Sequence, residues 1–146
     1  MPATLDQSTM ENRILEEVTY RKQLPGMSSL LCLEAVSCDV QKQTLELYHK
    51  VEAWEENVNG TMHGGIIAAV LDSTMGILCR CYIYPRRSPT TNLNVNYLRP
   101  VYVGDVLHVR AELLKQGKSL LWLRAVAWTE TPEKPCASAE GTFYII

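Results

Sequence analysis

The stretch NVNGTMHGGIIAAVLDSTMGILCRCY, residues 57–82, is the clearest indicator of the fold of this chain. From Gly64 to about Tyr82 the residues are apolar on nearly every side of a helix, which is typical of a helix buried inside a domain. A polar, glycine-rich loop precedes this segment, and Asp72 lies two turns into it. Because a carboxylate is costly to bury among apolar side chains, Asp72 is a candidate for a functional role.

The segments on both sides of this helix alternate between apolar and polar residues, as strands with one buried face do. Polar or proline-containing turns separate most of them, and strands joined by short turns pair antiparallel. The pattern predicts an α+β fold in which one antiparallel sheet wraps around the long central helix. The predicted strands cover residues 30–36, 45–50, 92–97, 107–113, 120–129 and 137–143.

The first 26 residues predict an amphipathic helix that packs on a larger body. Ser8–Glu11 has the pattern of a capping box, apolar residues then recur at helical spacing as far as Val18, and Pro25-Gly26 ends the helix. With 146 residues and no internal repeat, the chain suits one domain over 1–146, of which 1–26 is a helical extension.

Composition excludes several classes of function. A formal net charge of -2 gives no electrostatic basis for binding nucleic acid. An odd number of cysteines, five, without a recognisable spacing argues against a secreted disulfide scaffold. The longest apolar stretch is interrupted by Asp72 and Arg80, and the N-terminus is acidic rather than basic and then apolar. We therefore expect no membrane partner and a cytoplasmic protein.

The central stretch offers a base and an oxyanion site, which indicates an enzyme. The Gly pair places backbone N–H groups at the start of a helix, where they lack intrahelical partners and are partly positive, so they can stabilise an oxyanion. Asp72 can act as a general base or as a nucleophile. Gly65 and Asp72 are separated by about 10 Å of helix, so one carbonyl cannot easily touch both groups. The spacing favours a site to which a second copy contributes.

Three features together resemble the hotdog-fold acyl-CoA thioesterases of the PaaI type. They are the loop NxxGTMHGG, an acid nine residues after its histidine, and the later segment TTNLNVNYLRP. The resemblance runs from about Met27 to the C-terminus. It implies a hotdog fold, homodimers whose sheets join edge to edge, a homotetramer formed from two dimers, and active sites at the subunit interface.

The resemblance also implies roles for individual residues. Asp72 matches the catalytic carboxylate, and Gly64 matches the glycine whose N–H polarises the thioester carbonyl. His63 matches the histidine that supports this loop, and Asn57 matches the residue that places the water or the carboxylate. Thr90 falls where the family has a hydroxyl contacting the site. In the family, His63 and Gly64 of one subunit face Asp72 and Thr90 of the other.

The implied substrate is an acyl-CoA, with coenzyme A as part of the substrate and no separate cofactor. The hydroxyl residue of the family could also match Thr91, the neighbour of Thr90. The phosphates of CoA need cations to bind them, and Arg86 and Arg87 are candidates in addition to the residues named next. The predicted substrate-binding and CoA-binding residues are Gly65, Thr91, Arg99 and Lys118. No metal site is expected, because His63 and Asp72 lack a third ligand at a recognisable spacing.

Purely structural roles are alternatives to these assignments. Asp72 could accept hydrogen bonds from Ser73 or Thr74, Asn57 could brace a turn, and His49 and His108 fit structural or solvent-facing positions. Two other functions also compete: a hotdog hydratase or dehydratase, and an acyl-CoA-binding module that leaves the thioester uncut. The acyl group, and the choice between base and nucleophile, stay open at this point.

Overall fold

The computed structural model describes residues 4–146, so residues 1–3 of the predicted extension lie outside the described part. The helices are α1 (Gln7–Lys22), α2 (Met27–Leu31) and α3 (Gly64–Ile83), and a short 3-10 turn covers Ala53–Glu55. The strands are β1 (Glu34–Asp39), β2 (Thr44–Lys50), β3 (Thr90–Tyr97), β4 (Val106–Gln116), β5 (Leu120–Trp128) and β6 (Ala137–Tyr144).

The six strands form one antiparallel sheet in the order β1-β2-β4-β5-β6-β3. Alternate residues of β2, β4 and β5 are buried against α3, so the sheet wraps around this helix. The predicted α+β hotdog arrangement, with its central and N-terminal helices, is confirmed. The connection after β3 carries the chain across the sheet, which leaves β3 as an edge strand beside β6.

The helix α3 supplies the centre of the core. Val70, Leu71, Met75 and Leu78 are completely buried, and each such side chain contributes about 1.5–3 kcal/mol by leaving water. By length and composition alone α3 could also cross a membrane. In this fold, however, 56% of its apolar window is buried, as expected for the core helix of a domain.

Two details of the predicted N-terminal region are wrong. The helix α1 is capped by Asp6, whose carboxylate accepts the Thr9 N–H at 2.7 Å, and not by a capping box at Ser8–Glu11. The predicted strand at 30–36 begins as the helix α2, and β1 starts only at Glu34. A left-handed Cys32 (φ 43°) turns the chain between Leu31, the last residue of α2, and Leu33 in the connection to β1, and both side chains are buried in the core.

An ion-pair cluster attaches α1 to the rest of the fold. Glu17 is 6% exposed and lies within ion-pair distance of three guanidinium groups. The distances are 3.2 Å to Arg21, 3.6 Å to Arg80 of α3, and 2.8 Å to Arg87 in the loop before β3. The helix α1 therefore packs on the rest of the domain, as predicted, through an apolar stripe and through the buried Glu17 carboxylate.

Candidate active site

The loop before α3 is a narrow hairpin whose two ends are fixed by backbone hydrogen bonds. The His63 N–H donates to the Glu55 carbonyl at 2.7 Å, and the Asn57 N–H donates to the Thr61 carbonyl at 2.8 Å. The Met62 N–H donates to the Val101 carbonyl at 2.7 Å. The glycine-rich segment is thus held at a defined place against the chain that follows β3.

His63 caps the first turn of α3. Its Nδ1 accepts the Gly65 N–H at 2.9 Å, so a neutral ring carries its proton on Nε2. The Gly64 N–H, by contrast, has no hydrogen-bond acceptor within residues 4–146. Of the two glycines, Gly64 therefore has its N–H available for a ligand, while the Gly65 N–H is used by His63.

Tyr97 packs closely against the backbone at Gly64. Its hydroxyl donates to the Gly64 carbonyl at 2.7 Å, and a Cβ at position 64 would lie 3.3 Å from the tyrosine ring. Any side chain at position 64 would meet this ring. The sequence analysis placed Tyr97 on the alternating β3 strand but did not connect it with the loop, because the contact spans 33 residues.

Asn57 has a fixed orientation. Its Oδ1 accepts the N–H groups of Asn59 and Thr61 at 2.9 and 3.1 Å, which requires oxygen rather than nitrogen at that position. The side-chain NH2 contacts the Thr61 hydroxyl at 3.1 Å and has a second hydrogen. Asn57 therefore braces the turn, as the structural alternative predicted, and its remaining contribution to a site is that of a donor.

Asp72 is partly exposed on α3 and accepts a hydrogen bond from the Thr90 hydroxyl at 2.6 Å. Thr91 bonds elsewhere, to the carbonyl and hydroxyl of Thr142 at 3.0 and 2.7 Å. Thr90, not its neighbour, is thus the threonine that touches the carboxylate. The Thr90 bond uses one carboxylate oxygen, Oδ1, and no bond from residues 4–146 uses Oδ2.

The candidate residues form two groups in one chain. The helix-start cluster (Asn57, His63, Gly64 and Gly65) borders a surface groove of about 340 Å³ that Asn57, Gly64, Tyr97 and Arg99 line. The Asp72–Thr90 pair lies further along α3. Gly64 and Asp72 are eight residues apart, about 12 Å of helix rise. A single copy does not bring the two groups together.

The candidate cations are dispersed. Arg99 borders the groove and donates to the Pro135 carbonyl at 2.8 Å. Lys118 is exposed at the hairpin between β4 and β5 and has no polar contact with either group of candidate residues in the described part of the chain. Arg86 binds the Ile145 and Ile146 carbonyls, and Arg87 binds Glu17, so both hold the fold together.

The two cysteines of α3 are unsuited as nucleophiles. Burial raises the pKa of both Cys79 and Cys81 to about 12, so these thiols are protonated at neutral pH and weak as nucleophiles. Within residues 4–146 no group of three histidine, cysteine or carboxylate side chains could hold a metal ion. Asp72 is left as the candidate reacting group.

A buried pair beside the loop was not predicted. His49 and Glu55 are each 1% exposed, and His49 Nε2 lies 2.6 Å from Glu55 Oε1. The alternation of β2 placed His49 on the same face as Leu45 and Leu47, which was a signal of burial. His108, in contrast, is partly buried on the outer face and stacks on Trp128 with ring centres 5.6 Å apart.

Comparisons with known proteins identify the family of this chain and agree with its fold. The family model of the thioesterase superfamily matches residues 59–136, more than half of the chain. Acyl-coenzyme A thioesterase 13 of Mus musculus is 29% identical over 143 residues, which cover 94% of this chain and 98% of that protein. The Homo sapiens protein of the same name is 39% identical over 112 residues, covering 74% and 65%.

Among solved structures, the PaaI protein of the E. coli phenylacetic acid degradation operon is similar with a TM-score of 0.79. Its sequence identity to this chain is 18%, and the match covers 94% of this chain and 96% of that one. At this identity the likeness concerns the fold. The family model also includes the loop from Asn59 onward, α3 and β3, which carry most of the candidate site residues.

Proposed function

Because this chain belongs to the thioesterase superfamily and has the hotdog fold of its PaaI-type members, we propose that it hydrolyses acyl-CoA thioesters at a site shared by two copies. The observation that carries the proposal is the Gly64 N–H. It stands at the N-terminus of a 20-residue helix, borders a groove, and has no acceptor among the described residues. Such a donor stabilises the oxyanion of a thioester under attack.

The reaction then follows from the two groups of residues. The Asp72 Oδ2 takes a proton from a water molecule, whose oxygen attacks the thioester carbonyl carbon. The carbonyl oxygen becomes an oxyanion that the Gly64 N–H of the other copy stabilises, while Thr90 holds the Asp72 carboxylate in place. Collapse of the tetrahedral intermediate breaks the carbon–sulfur bond, and the proton passes to the leaving thiolate, which gives a free acid and coenzyme A.

The geometry of α3 supports a site that a second copy completes. The donor and the carboxylate are about 12 Å apart along one helix, which is too far for one carbonyl group. The outer edge of β3 pairs with no strand in the described residues, while Gln7 of α1 covers the end of the other edge strand, where it binds the Cys38 carbonyl of β1 and the N–H of Val40 just after β1, each at 2.9 Å. Edge-to-edge association at β3 is therefore the proposed dimer, and two such dimers form the proposed tetramer.

Coenzyme A is expected to enter as part of the substrate, without a separate cofactor. Arg99 is the best-placed cation because it lines the same groove as Gly64. Lys118 contributes only if the hairpin of a neighbouring copy reaches the groove. The relatives named acyl-coenzyme A thioesterase 13 support this class of substrate.

The test is thiol release from a panel of aromatic, short-chain and long-chain acyl-CoAs. We expect turnover of at least one substrate, and a loss of about 10³-fold or more in kcat in Asp72→Asn, which keeps the shape and the hydrogen bond from Thr90 but cannot accept the proton. Asp39→Asn serves as the matched control, because it is the same substitution at a carboxylate at the end of β1 that accepts the Gln41 and Lys42 N–H groups and belongs to neither group of candidate residues.

Three results would overturn the proposal. One is a panel in which the wild-type rate does not exceed that of Asp72→Asn. The second is hydration of crotonyl-CoA without thiol release, which would indicate a hydratase. The third is saturable acyl-CoA binding that leaves every thioester intact, which would indicate a binding module.

A further inference from the structure

His49 and Glu55 form a buried pair directly below the site loop, and the proposed reaction does not use it. Glu55 Oε1 lies 2.6 Å from His49 Nε2, and Glu55 Oε2 accepts the Glu52 N–H at 2.5 Å. The other ring nitrogen, Nδ1, lies 2.5 Å from the Leu31 carbonyl. Both side chains are almost completely buried.

Every polar atom of the pair has a partner. The Leu31 carbonyl only accepts, so Nδ1 carries a proton, and one further proton is shared between Nε2 and Oε1. The pair is therefore neutral as a whole, whichever partner holds that proton. Apolar side chains of similar volume replace buried ion pairs elsewhere without loss of stability. Stability alone does not account for a histidine and a glutamate at these positions.

The pair is connected to the oxyanion donor through two short steps. The Glu55 side chain closes the 3-10 turn Ala53–Glu55 by binding the Glu52 N–H. The Glu55 carbonyl then accepts the His63 N–H at 2.7 Å, and His63 is the residue before Gly64. Glu55 is thus the base of the hairpin loop, and its orientation sets the position of the peptide that carries the Gly64 N–H.

We propose that the His49–Glu55 pair is a positioning device that fixes the direction of the Gly64 N–H from below the loop. The inference rests on the proposed function for its kinetic consequence. An oxyanion donor acts mainly in the transition state, so its displacement lowers kcat and leaves KM nearly unchanged. A misplacement of about 1 Å in such a group costs on the order of 100-fold in rate.

Two variants distinguish a positioning role of the His49–Glu55 pair from a purely stabilising one. In Glu55→Gln, the amide donates to Nε2 and the amide oxygen accepts the Glu52 N–H, so all contacts persist and kcat should stay within about 2-fold of wild type. In the double variant His49→Leu/Glu55→Met, apolar groups fill the same space and the hydrogen bonds are lost. We expect it to be folded, with kcat lowered about 10- to 100-fold, KM nearly unchanged, and faster hydrogen exchange of the His63 amide.

Leu113→Ala is the stability control, because Leu113 is buried near the opposite end of β4 from Leu107, the residue that pairs with His49. Its kcat should equal that of wild type although it unfolds at a lower temperature. The proposal is overturned if the double variant keeps its kcat and its His63 exchange rate, if it fails to fold, or if Glu55→Gln loses as much kcat as the double variant.

The kinetic and exchange measurements also keep this inference apart from the proposed function. If wild type cleaves no acyl-CoA, the proposed function fails. The hydrogen-exchange rate of the His63 amide in the double variant still decides the positioning role, because an unchanged rate contradicts it and a faster rate supports it.

Discussion

Two properties of Gly64 bear on the proposed site: its backbone N–H and its lack of a side chain. Its N–H is available because it is the first residue of α3, and its lack of a side chain leaves room for the Tyr97 ring 3.3 Å from the position of a Cβ. Most substitutions at this position add a side chain but keep the backbone N–H. Proline offers a way to change the N–H separately, because it is favoured at the first position of a helix.

Gly64→Pro and Gly64→Ala form a matched pair of variants. Both add a Cβ beside Tyr97, but only proline removes the N–H, and the His63 backbone (φ −58°, ψ 128°) already suits a following proline. We expect kcat of Gly64→Pro to be about 10²- to 10³-fold below that of Gly64→Ala, with similar thermal stability. Thiol release and thermal unfolding measure the two quantities.

The test compares kcat between the two variants, not between each variant and wild type. A loss common to both would come from the added Cβ and its contact with Tyr97. Equal kcat values in Gly64→Pro and Gly64→Ala would show that the Gly64 N–H does not bind the oxyanion.

The helix α1 is held by Glu17 more than by its exposed residues. Glu17→Gln removes the carboxylate that faces Arg21, Arg80 and Arg87, and Arg80 is mostly buried with 15% of its side chain exposed. We expect this variant to lower the free energy of unfolding by about 3 kcal/mol, the lower end of the cost of breaking a buried pair, because the arginines keep part of their contact with water. Urea unfolding with an unchanged m-value measures it.

Glu16→Gln is the control for this prediction, since Glu16 is the exposed neighbour of Glu17 on the same helix. Its effect should stay within about 0.5 kcal/mol, as for other surface substitutions. If both variants cost the same, α1 is attached by its apolar stripe of Met10, Ile14 and Val18 alone.

The elements differ in how well the sequence predicted them. The helix α3 was predicted almost to the residue, because a long apolar run after a glycine pair has few other solutions. The start of the strand predicted at 30–36 was wrong, since the pair Leu30-Leu31 fits a helical turn as well as a strand, and the left-handed Cys32 depends on packing. The place of β3 at the sheet edge also depends on packing, not on order along the chain.

The candidate site was also predictable only where local sequence determines it. The loop, Gly64, His63, Asp72 and Thr90 were predicted as site residues from local spacing and from a resemblance. The Tyr97 contact with Gly64 and the His49–Glu55 pair were missed, because each joins segments that no local pattern relates. Hydrogen bonds from Asn59 and Thr61 also decide the orientation of Asn57, which spacing alone leaves open.

At the level of the assembled protein, each proposed site takes its oxyanion donor from one copy and its carboxylate from the other. A two-fold dimer then contains two equivalent sites. If one copy carries Gly64→Pro and the other Asp72→Asn, one site has both lesions and the second site has neither. Two inactive variants should therefore form an active mixed dimer.

This complementation is the direct test of a shared site. The two variants are unfolded and refolded together in equal amounts, so that half of the dimers are mixed and half of their sites are intact, which restores about a quarter of wild-type activity. Each variant refolded alone, and the two mixed after separate refolding, are the controls and should stay inactive while subunits do not exchange. If joint refolding restores no activity while mixed dimers are detected by mass spectrometry, the donor and the carboxylate do not meet across the interface.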